Sequence, residues 1–373
     1  MFQRCSQSSF HGKIKEIKGL YVDNFEQVES NKPRAYFLSH CHSDHMYGLH
    51  SATLLNYLKE NKVFIYTTEL SVAIINDEAK DKKIMDHLKA LKLGSTLITL
   101  PPVPEENIEE TYVTVTLIPA GHSLGAVMFL FQTISTTVLF TGDFRINEKD
   151  IYKYAGLHDD AENPVKINIM YLDTTFIDLL YENFPKRSQS IEAMMKEIKT
   201  SLSMGRGVAL HTSAKYGYEY VFNEIYKSLG KKVYVNEDRW RFYRTILHIV
   251  PGVTNNESET VIHLCTKRNE NNHSTCISRN YPQFLYIHLS AMKWINNKFK
   301  SVERMSSTRV DVCFATHCSR SELMSFVNYF QPDKVIGFPN RYIEDRGVKR
   351  KNYCQYLRKE GKLESMLVKK FCS

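Results

Sequence analysis

The sequence predicts an α/β protein of two domains. Short runs of apolar and β-branched residues alternate with stretches whose apolar residues have helical spacing, a pattern typical of sheets covered by helices. The chain has 373 residues, of which 43% are hydrophobic, and this length favours a large core and two domains. A third observation is a cluster of histidines directly after one predicted strand, at residues 40–45.

The predicted elements follow one another at short intervals. We expect strands at residues 20–25, 35–38, 63–66, 96–100, 111–118, 127–131 and 137–140, and a helix over the helically spaced residues 69–93. Farther along, predicted helices at 188–202 and 216–229 alternate with predicted strands at 207–210 and 232–235. This β-α-β alternation predicts a small parallel sheet.

Composition limits the class of protein. The net charge is +8 and the pI is near 8.9, which fits nucleic acid as a partner and equally fits a basic protein that binds none. The eight cysteines are scattered, and the amino terminus lacks the apolar segment of a secretory signal. No stretch approaches the ~18 apolar residues of a membrane span. We therefore expect a soluble intracellular chain without a membrane anchor.

The cluster after residues 35–38 has the pattern H-x-H-x-D-H. Residues i and i+2 of an extended chain share a face, so His40 and His42 point the same way. Asp44 and His45 follow, and a turn into a helix would aim them at the same cavity. Imidazole suits zinc-like metals and carboxylate suits harder ones. The pattern predicts two ligands for one metal ion and two for a neighbouring ion.

Further polar residues follow other predicted strands. Asp23 has two interpretations, a turn residue or a carboxylate that orients a metal-bound histidine. His122 lies in a glycine-containing turn, and Gly142 lets the chain turn tightly and present Asp143. One predicted ligand set is His40, His42, His122 and Asp143; the other is Asp44, His45 and Asp143. Two ions bridged at ~3.5–4 Å would lower the pKa of a shared water and clamp a phosphodiester.

H-x-H-x-D-H, the later G-H, and T-G-D-F-R at residues 141–145 resemble the metallo-β-lactamase superfamily. The order of Asp173, His263 and His317 resembles its β-CASP branch, whose members act on nucleic acids. L-D-T-T-F at 172–176 and Y-G-Y-E-Y at 216–220 resemble the Artemis type of DNA cross-link repair nuclease. The resemblance implies a four-layered αββα metallo-β-lactamase fold with an inserted α/β β-CASP domain. It implies a core at 1–177, the insertion at 178–308, and a return to the core with a basic tail at 309–373.

The same resemblance implies roles for residues far along the chain. Asp173 would support the metal site and catalysis, and His317 would lie near the second metal and the scissile phosphate as a ligand or proton donor. From the residues alone, a strand-end aspartate and a core histidine remain alternatives. The family's structural zinc site carries over as His263, Cys265 and Cys276. Its fourth position falls on Tyr234, a poor zinc ligand, for which His273 is the substitute.

In the family, hydroxyl groups around the last histidine line a pocket for the 5′-phosphate of DNA. Here Ala315 and Cys318 each lack one such hydroxyl, so we expect altered recognition of DNA ends. The residues left to bind phosphate are Thr175, Ser319, Arg320 and Ser321, together with Lys215 near another strand end.

The favoured hypothesis is a zinc-dependent nuclease that hydrolyses DNA phosphodiesters in repair. Asp44, His45, Asp173 and His317 are its catalytic candidates. One or two zinc ions, with Mg²⁺ or Mn²⁺ as alternatives at the second position, are its expected cofactors. Broken or single-stranded DNA ends, repair-complex proteins and a nuclear location follow from the resemblance. An RNA-processing nuclease, a DNA-end-binding scaffold with little catalysis and a small-molecule hydrolase are the alternatives.

Overall fold

The computed structural model describes residues 10–79, 81–265, 283–296 and 300–346. Its helices are α1 (Val28–Asn31), α2 (Ala52–Asn61), α3 (Glu69–Glu78), α4 (Arg187–Ser203), α5 (Glu219–Leu229), α6 (Glu237–Tyr243) and α7 (Arg320–Phe330). Its strands are β1 (Leu20–Val22), β2 (Ala35–Phe37), β3 (Ile65–Thr68), β4 (Leu88–Leu91), β5 (Gly94–Leu100), β6 (Thr111–Pro119), β7 (Val127–Gln132), β8 (Thr137–Phe140), β9 (Ile169–Asp173), β10 (Gly207–Thr212), β11 (Val233–Tyr234), β12 (Val253–Thr254), β13 (Ile262–Leu264), β14 (Phe284–Ser290), β15 (Val302–Arg304), β16 (Arg309–Cys313), β17 (Lys334–Phe338) and β18 (Ile343–Asp345).

Two sheets pack face to face around one core. The first has the strand order β1-β2-β3-β4 and is parallel. The second has the order β18-β17-β9-β8-β7-β6-β5 and is mixed. Because side chains alternate across a strand, Phe37 of β2 points into the space between the sheets, where it meets Phe129 and Phe131 of β7. This apolar layer holds the two sheets together.

Helices cover the outer faces of both sheets. Tyr36, which neighbours Phe37 on β2, belongs to the same buried cluster as Leu54 of α2 and Ile74 of α3. On the other side, Phe326 of α7 packs in one cluster with Met128 of β7. The layers are therefore helix, sheet, sheet and helix, and the predicted αββα arrangement is confirmed.

A third sheet forms from the later part of the chain. Its order is β12-β11-β13-β10-β14-β16-β15, with parallel neighbours except for the antiparallel pair of β15 and β16. Met194 of α4 and Phe222 of α5 lie in the same apolar cluster as Val208 and Leu210 of β10. The predicted small parallel sheet of an inserted α/β region is confirmed.

The chain was expected to return to the core at residue 309, but β16 (Arg309–Cys313) still belongs to the third sheet. β16 pairs along its whole length with β14, so this sheet extends to Cys313. The chain rejoins the second sheet only at β17, which pairs with β9. The division of the chain into domains stays a proposal, with its last boundary moved beyond Cys313. No helix among the described residues is long and apolar enough to cross a membrane.

Candidate metal centre

Loops at the carboxyl ends of strands bring the predicted ligands together. The loop after β2 carries His40, His42 and His45, the β6–β7 loop carries His122, and the loop after β8 carries Asp143. Gly142 has φ +51°, and a Cβ atom there would lie 2.9 Å from Cβ of Ser39. Glycine is therefore required where the β8 loop passes the β2 loop.

The structure groups the residues as the sequence predicts. The ligand atoms of His40, His42, His122 and Asp143 lie within 4.8 Å of one another, and so do those of Asp44, His45 and Asp143. A further group joins Asp143 to Asp173 and His317. Asp143 thus belongs to three of the four groups among the described residues, and the fourth joins Asp23 to His40 and His45.

Oδ2 of Asp143 lies at the centre of the cluster. It is 3.3 Å from Nε2 of His45, 3.6 Å from Nε2 of His122 and 3.7 Å from Nε2 of His40. Ligands that hold zinc tetrahedrally at ~2.1 Å are separated by roughly 3.4 Å. The observed separations between Asp143 and each histidine suit two ligands of the same ion, with Asp143 common to both sets.

Backbone carbonyls orient two of the imidazoles. Nε2 of His42 donates to the carbonyl oxygen of Tyr216 at 3.1 Å, and Nδ1 of His122 donates to that of Thr316 at 3.0 Å. Since a carbonyl only accepts, each ring keeps its proton on this outer nitrogen. The inner nitrogens, Nδ1 of His42 and Nε2 of His122, lie 3.0 Å apart with lone pairs available to a metal.

Asp23 orients the other side of the cluster. Its buried carboxylate accepts from Nδ1 of His45 at 2.7 Å and from the hydroxyl of Ser39 at 2.5 Å. The Ser39 oxygen then accepts from Nδ1 of His40 at 3.0 Å. Of its two interpretations, the structure supports Asp23 as the carboxylate that orients histidines. Nε2 of His40 is buried and has no hydrogen-bond partner among the described residues, so the donor set fits a cation there.

Charge is distributed unevenly within the cluster. Burial, aided by His45 and His42, lowers the pKa of His40 well below its usual value. Burial opposes charge on His45 as well, but Asp143 and Asp23 outweigh it and raise the pKa of His45 well above normal. Burial alone would raise the pKa of Asp143, yet His45 and His317 hold it well below its usual range. An ionised Asp143 therefore faces imidazoles that differ in charge.

His317 and Asp173 form a pair beside this cluster. Nδ1 of His317 lies 2.8 Å from Oδ2 of the buried Asp173, and Nε2 lies 3.9 Å from Asp143. Burial disfavours the charged imidazole, but the two carboxylates outweigh it and raise the pKa of His317 to about 9. Asp173 also accepts from the amide and hydroxyl of Thr175. The pair therefore places a proton-bearing nitrogen next to the cluster.

Comparison with known proteins finds similarity to one family and to several of its relatives. A family described as "DNA repair metallo-beta-lactamase" matches residues 248–340. Protein artemis of Gallus gallus is 34% identical over 89% of this chain and 48% of its own length, and that of Homo sapiens is 32% identical over 89% and 49%. DNA cross-link repair 1A protein of Gallus gallus is 26% identical over 89% and 33%.

These matches confirm the predicted resemblance to the DNA repair metallo-β-lactamase family and its Artemis-like character. The chain spans about half the length of the artemis proteins it matches. A solved protein of unknown function from Enterococcus faecalis V583 shares the fold, with a TM-score of 0.52, 13% identity, and coverage of 82% of this chain and 75% of that one.

The residues expected to bind phosphate are mostly engaged by protein groups. Lys215 pairs with Glu78 at 2.8 Å, and Arg320 pairs with Glu182 at 2.9 Å. These carboxylates partly neutralise the two cations and compete with a phosphate for them. The hydroxyl of Thr175 donates to Asp173 at 2.6 Å.

A cavity of about 410 Å³ lies next to Ser319 and Ser321. Lys149, Lys186 and Arg187 contribute positive charge to its lining. Ser319 caps α7 by accepting from the amide of Glu322, and Ser321 donates to Asn183. Both serines line this cavity.

Ala315 and Cys318 lie elsewhere in the structure. Both side chains are buried within apolar clusters, Ala315 beside Phe176 and Cys318 beside Phe326. Neither lines the cavity at Ser319. The missing hydroxyls at these two positions therefore remove no polar group from the lining of this cavity.

The structure describes two of the four residues expected at the structural zinc site, His263 and Cys265. His263 on β13 is buried, and neither ring nitrogen has a hydrogen-bond partner among the described residues. Tyr234 pairs with His263 across neighbouring strands, and Cys265 follows β13 and is also buried. His273 and Cys276 lie outside the described residues. Buried polar atoms normally have a partner, so the two His263 nitrogens are available to a metal ion or to a group outside the described residues.

Sequence patterns missed several groups that hold the centre. The carbonyls of Tyr216 and Thr316 belong to loops 174 and 194 residues away from the histidines they orient. Ser39 is the one such group with a local signal, because it directly precedes His40. Backbone carbonyls carry no residue-type signature, so only the folded chain reveals them.

We expect Asp23→Asn to weaken zinc binding by about 10- to 100-fold, the usual cost of losing a partner that orients a ligand. An amide cannot hold both His45 and the Ser39 groups as the carboxylate does. Competition with a chromophoric chelator measures the affinity. The matched control is Asp150→Asn, which removes a carboxylate from an exposed pair with Lys153. Equal zinc affinity in the two variants would contradict the orienting role.

Proposed function

We propose that this chain is a metal-dependent nuclease that hydrolyses phosphodiester bonds of DNA during repair. The observation that carries the proposal is the convergence of two ligand groups on Asp143 in a chain that resembles a DNA repair family. A lactam or thioester hydrolase would leave the large inserted sheet without a role. DNA with broken or single-stranded ends is the proposed substrate, with the nucleus as location and repair-complex proteins as partners.

His40, His42, His122 and Asp143 would hold the first ion, and Asp44, His45 and Asp143 the second. The imidazole-rich first set suits Zn²⁺, whereas the carboxylates of the second also suit Mg²⁺ or Mn²⁺. Such ions supply activation of water and neutralise charge that develops on phosphate.

The protein's own groups complete the reaction. The side chain of Asp44 is 47% exposed, so it is the member of the cluster that can contact solvent and steer an attacking water molecule. His317, held by Asp173, is placed to donate a proton to the leaving 3′-oxygen. Asp173 fixes the orientation of that ring and favours its protonated form.

We expect Asp44→Asn to lower the rate of DNA cutting by at least ~100-fold, because the amide neither binds a cation strongly nor accepts a proton. Single-turnover cleavage of labelled DNA measures the rate, with Asp150→Asn as the control. Parent-like cutting by Asp44→Asn would rule out this role. Matched DNA and RNA strands in the same assay separate the proposal from an RNA-processing nuclease.

We propose that the cavity beside Ser319 and Ser321 receives the 5′-phosphate of DNA. The cavity has the size for a phosphate group, and Lys149 and Lys186 at its lining offer positive charge. The α7 helix begins beside Ser319, and its dipole favours an anion near this end, where the Glu322 carboxylate of the same lining already accepts from the Ser319 amide. Binding of the terminal phosphate would make the enzyme prefer phosphorylated ends.

We expect faster cutting of 5′-phosphorylated than of 5′-hydroxyl DNA, by about tenfold or more, and we expect Lys186→Ala to narrow this ratio. The lost charge-assisted contact is worth roughly 1.5–3 kcal/mol. The matched control is Lys196→Ala, which removes an exposed lysine of α4 that is paired with Glu192. Hairpin DNA as a third substrate distinguishes exonuclease from endonuclease activity. Equal rates on both ends would refute the assignment of this cavity.

A structural zinc ion at His263 and Cys265 is a further proposal, supported by the bare nitrogens of His263. His273 and Cys276 would complete the ligands. We expect elemental analysis to find one zinc equivalent fewer in His263→Ala than in the parent chain. His248→Ala, which changes an exposed histidine of the same region, is the control. Unchanged zinc content in His263→Ala would exclude the site.

A DNA-end-binding scaffold with little catalysis is the second candidate. The ion pairs of Lys215 and Arg320 favour it, because they reduce the charge available to a substrate phosphate. The complete ligand set around Asp143 favours catalysis instead. Elemental analysis separates the two, since a scaffold has no chemical need for metal at this centre.

A further inference from the structure

Arg187 connects two loops of the candidate metal centre. It is the first residue of α4, in the predicted insertion. Its Nε donates to the carbonyl oxygen of Ala315 at 3.0 Å, and one terminal nitrogen donates to that of Gly121 at 2.6 Å. The planar guanidinium suits such a double contact, because its donors point in fixed directions.

The two carbonyls belong to the loops that carry His122 and His317. Gly121 directly precedes His122, and Ala315 stands two residues before His317. His122 itself donates to the carbonyl of Thr316, the residue between them. Hydrogen bonds from Arg187 and from the His122 ring therefore connect the same two loops, the one that carries His122 and the one that carries His317. The rings of His122 and His317 lie 4.6 Å apart.

The environment of Arg187 favours holding carbonyls over binding a phosphate. Burial, with a contribution from Arg145, lowers the pKa of Arg187 to about 10, so the group stays charged at neutral pH. Its charge lies over the ring of Phe314 at 5.7 Å. Arg145 also donates to the Ala315 carbonyl, at 2.9 Å, and pairs with Glu322. Arg187 is half-buried, and charge-assisted hydrogen bonds to carbonyls compensate the partial loss of its hydration.

We propose that Arg187 is a positioning residue that fixes the loops of His122 and His317 relative to each other and thereby sets the metal affinity of the centre. A second contact from the same region acts on the centre independently, since the Tyr216 carbonyl orients His42. The inserted region thus holds the metal ligands as well as adding a surface for the substrate. The inference rests on the metal centre of the proposed function and deepens it.

The test measures zinc affinity of the full chain without DNA, by competition with a chelator, and then kcat and KM for DNA cleavage. Arg187→Ala binds zinc about 10- to 100-fold more weakly and loses kcat, with KM changed less than about threefold. Arg187→Lys falls between parent and Arg187→Ala, because one ammonium cannot reach both carbonyls in the same geometry. Arg206→Ala is the control; Arg206 also donates to a carbonyl, that of Ser307, which adjoins no residue of the ligand groups.

Parent-like zinc affinity in Arg187→Ala, with KM raised for 5′-phosphorylated DNA alone, overturns the inference and makes Arg187 a phosphate ligand. If circular dichroism shows that Arg187→Ala does not fold, the Arg187→Lys variant is measured instead. Unchanged zinc affinity of Arg187→Lys overturns the inference, and weakened zinc affinity supports it. A parent chain that binds no zinc overturns the proposed function and this inference together. Unchanged affinity in a variant of a zinc-binding parent overturns the inference alone.

Discussion

The structure of the site depends on one buried carboxylate among imidazoles. Asp143 is almost inaccessible to solvent, and nitrogens of His40, His45 and His122 surround its Oδ2 atom. A buried charge is costly unless other groups compensate it. Each loop that delivers an imidazole must therefore hold its position closely. The tight glycine turn at residue 142, the buried Asp23 and the backbone carbonyls all serve this requirement.

The compensation comes from two different parts of the chain. Asp23 and Ser39, on the loops after β1 and β2 of the first sheet, orient His45 and His40. The carbonyls of Tyr216 and Thr316 lie beyond β10 and β16 of the third sheet. Metal affinity is thereby linked to how the third sheet lies against the first two. The insertion is part of the centre, since it supplies hydrogen-bond acceptors that no local segment could supply.

Substrate selectivity depends on a different set of contacts. The net charge is +8, but two cations expected to bind phosphate already form ion pairs: Lys215 with Glu78 and Arg320 with Glu182. The cavity beside Ser319 instead offers hydroxyl groups, lysines and the beginning of α7. Shape and a helix end therefore contribute to the proposed recognition of a DNA end along with charge.

Local sequence determined the elements with a strong pattern and the ligands close together in the chain. Most strand positions along the chain, the small parallel sheet and both ligand groups around Asp143 were predicted, because spacing and residue type specify them. The helix predicted over 69–93 was wrong in its second half. α3 ends at Glu78, and Leu88–Leu91 forms β4 beside β3. Apolar spacing over so short a segment fits a strand or a helix, and pairing with β3 decides between them.

Only tertiary structure decided which groups orient the ligands. Asp23 could be a turn residue by sequence, and its contact with His45 settles that choice because the two lie on adjacent loops of one sheet. The carbonyls at Tyr216 and Thr316 and the bridge made by Arg187 have no residue pattern to predict them. Hydrogen bonds to the backbone depend on the path of the chain, and that path is set by how distant sheets pack.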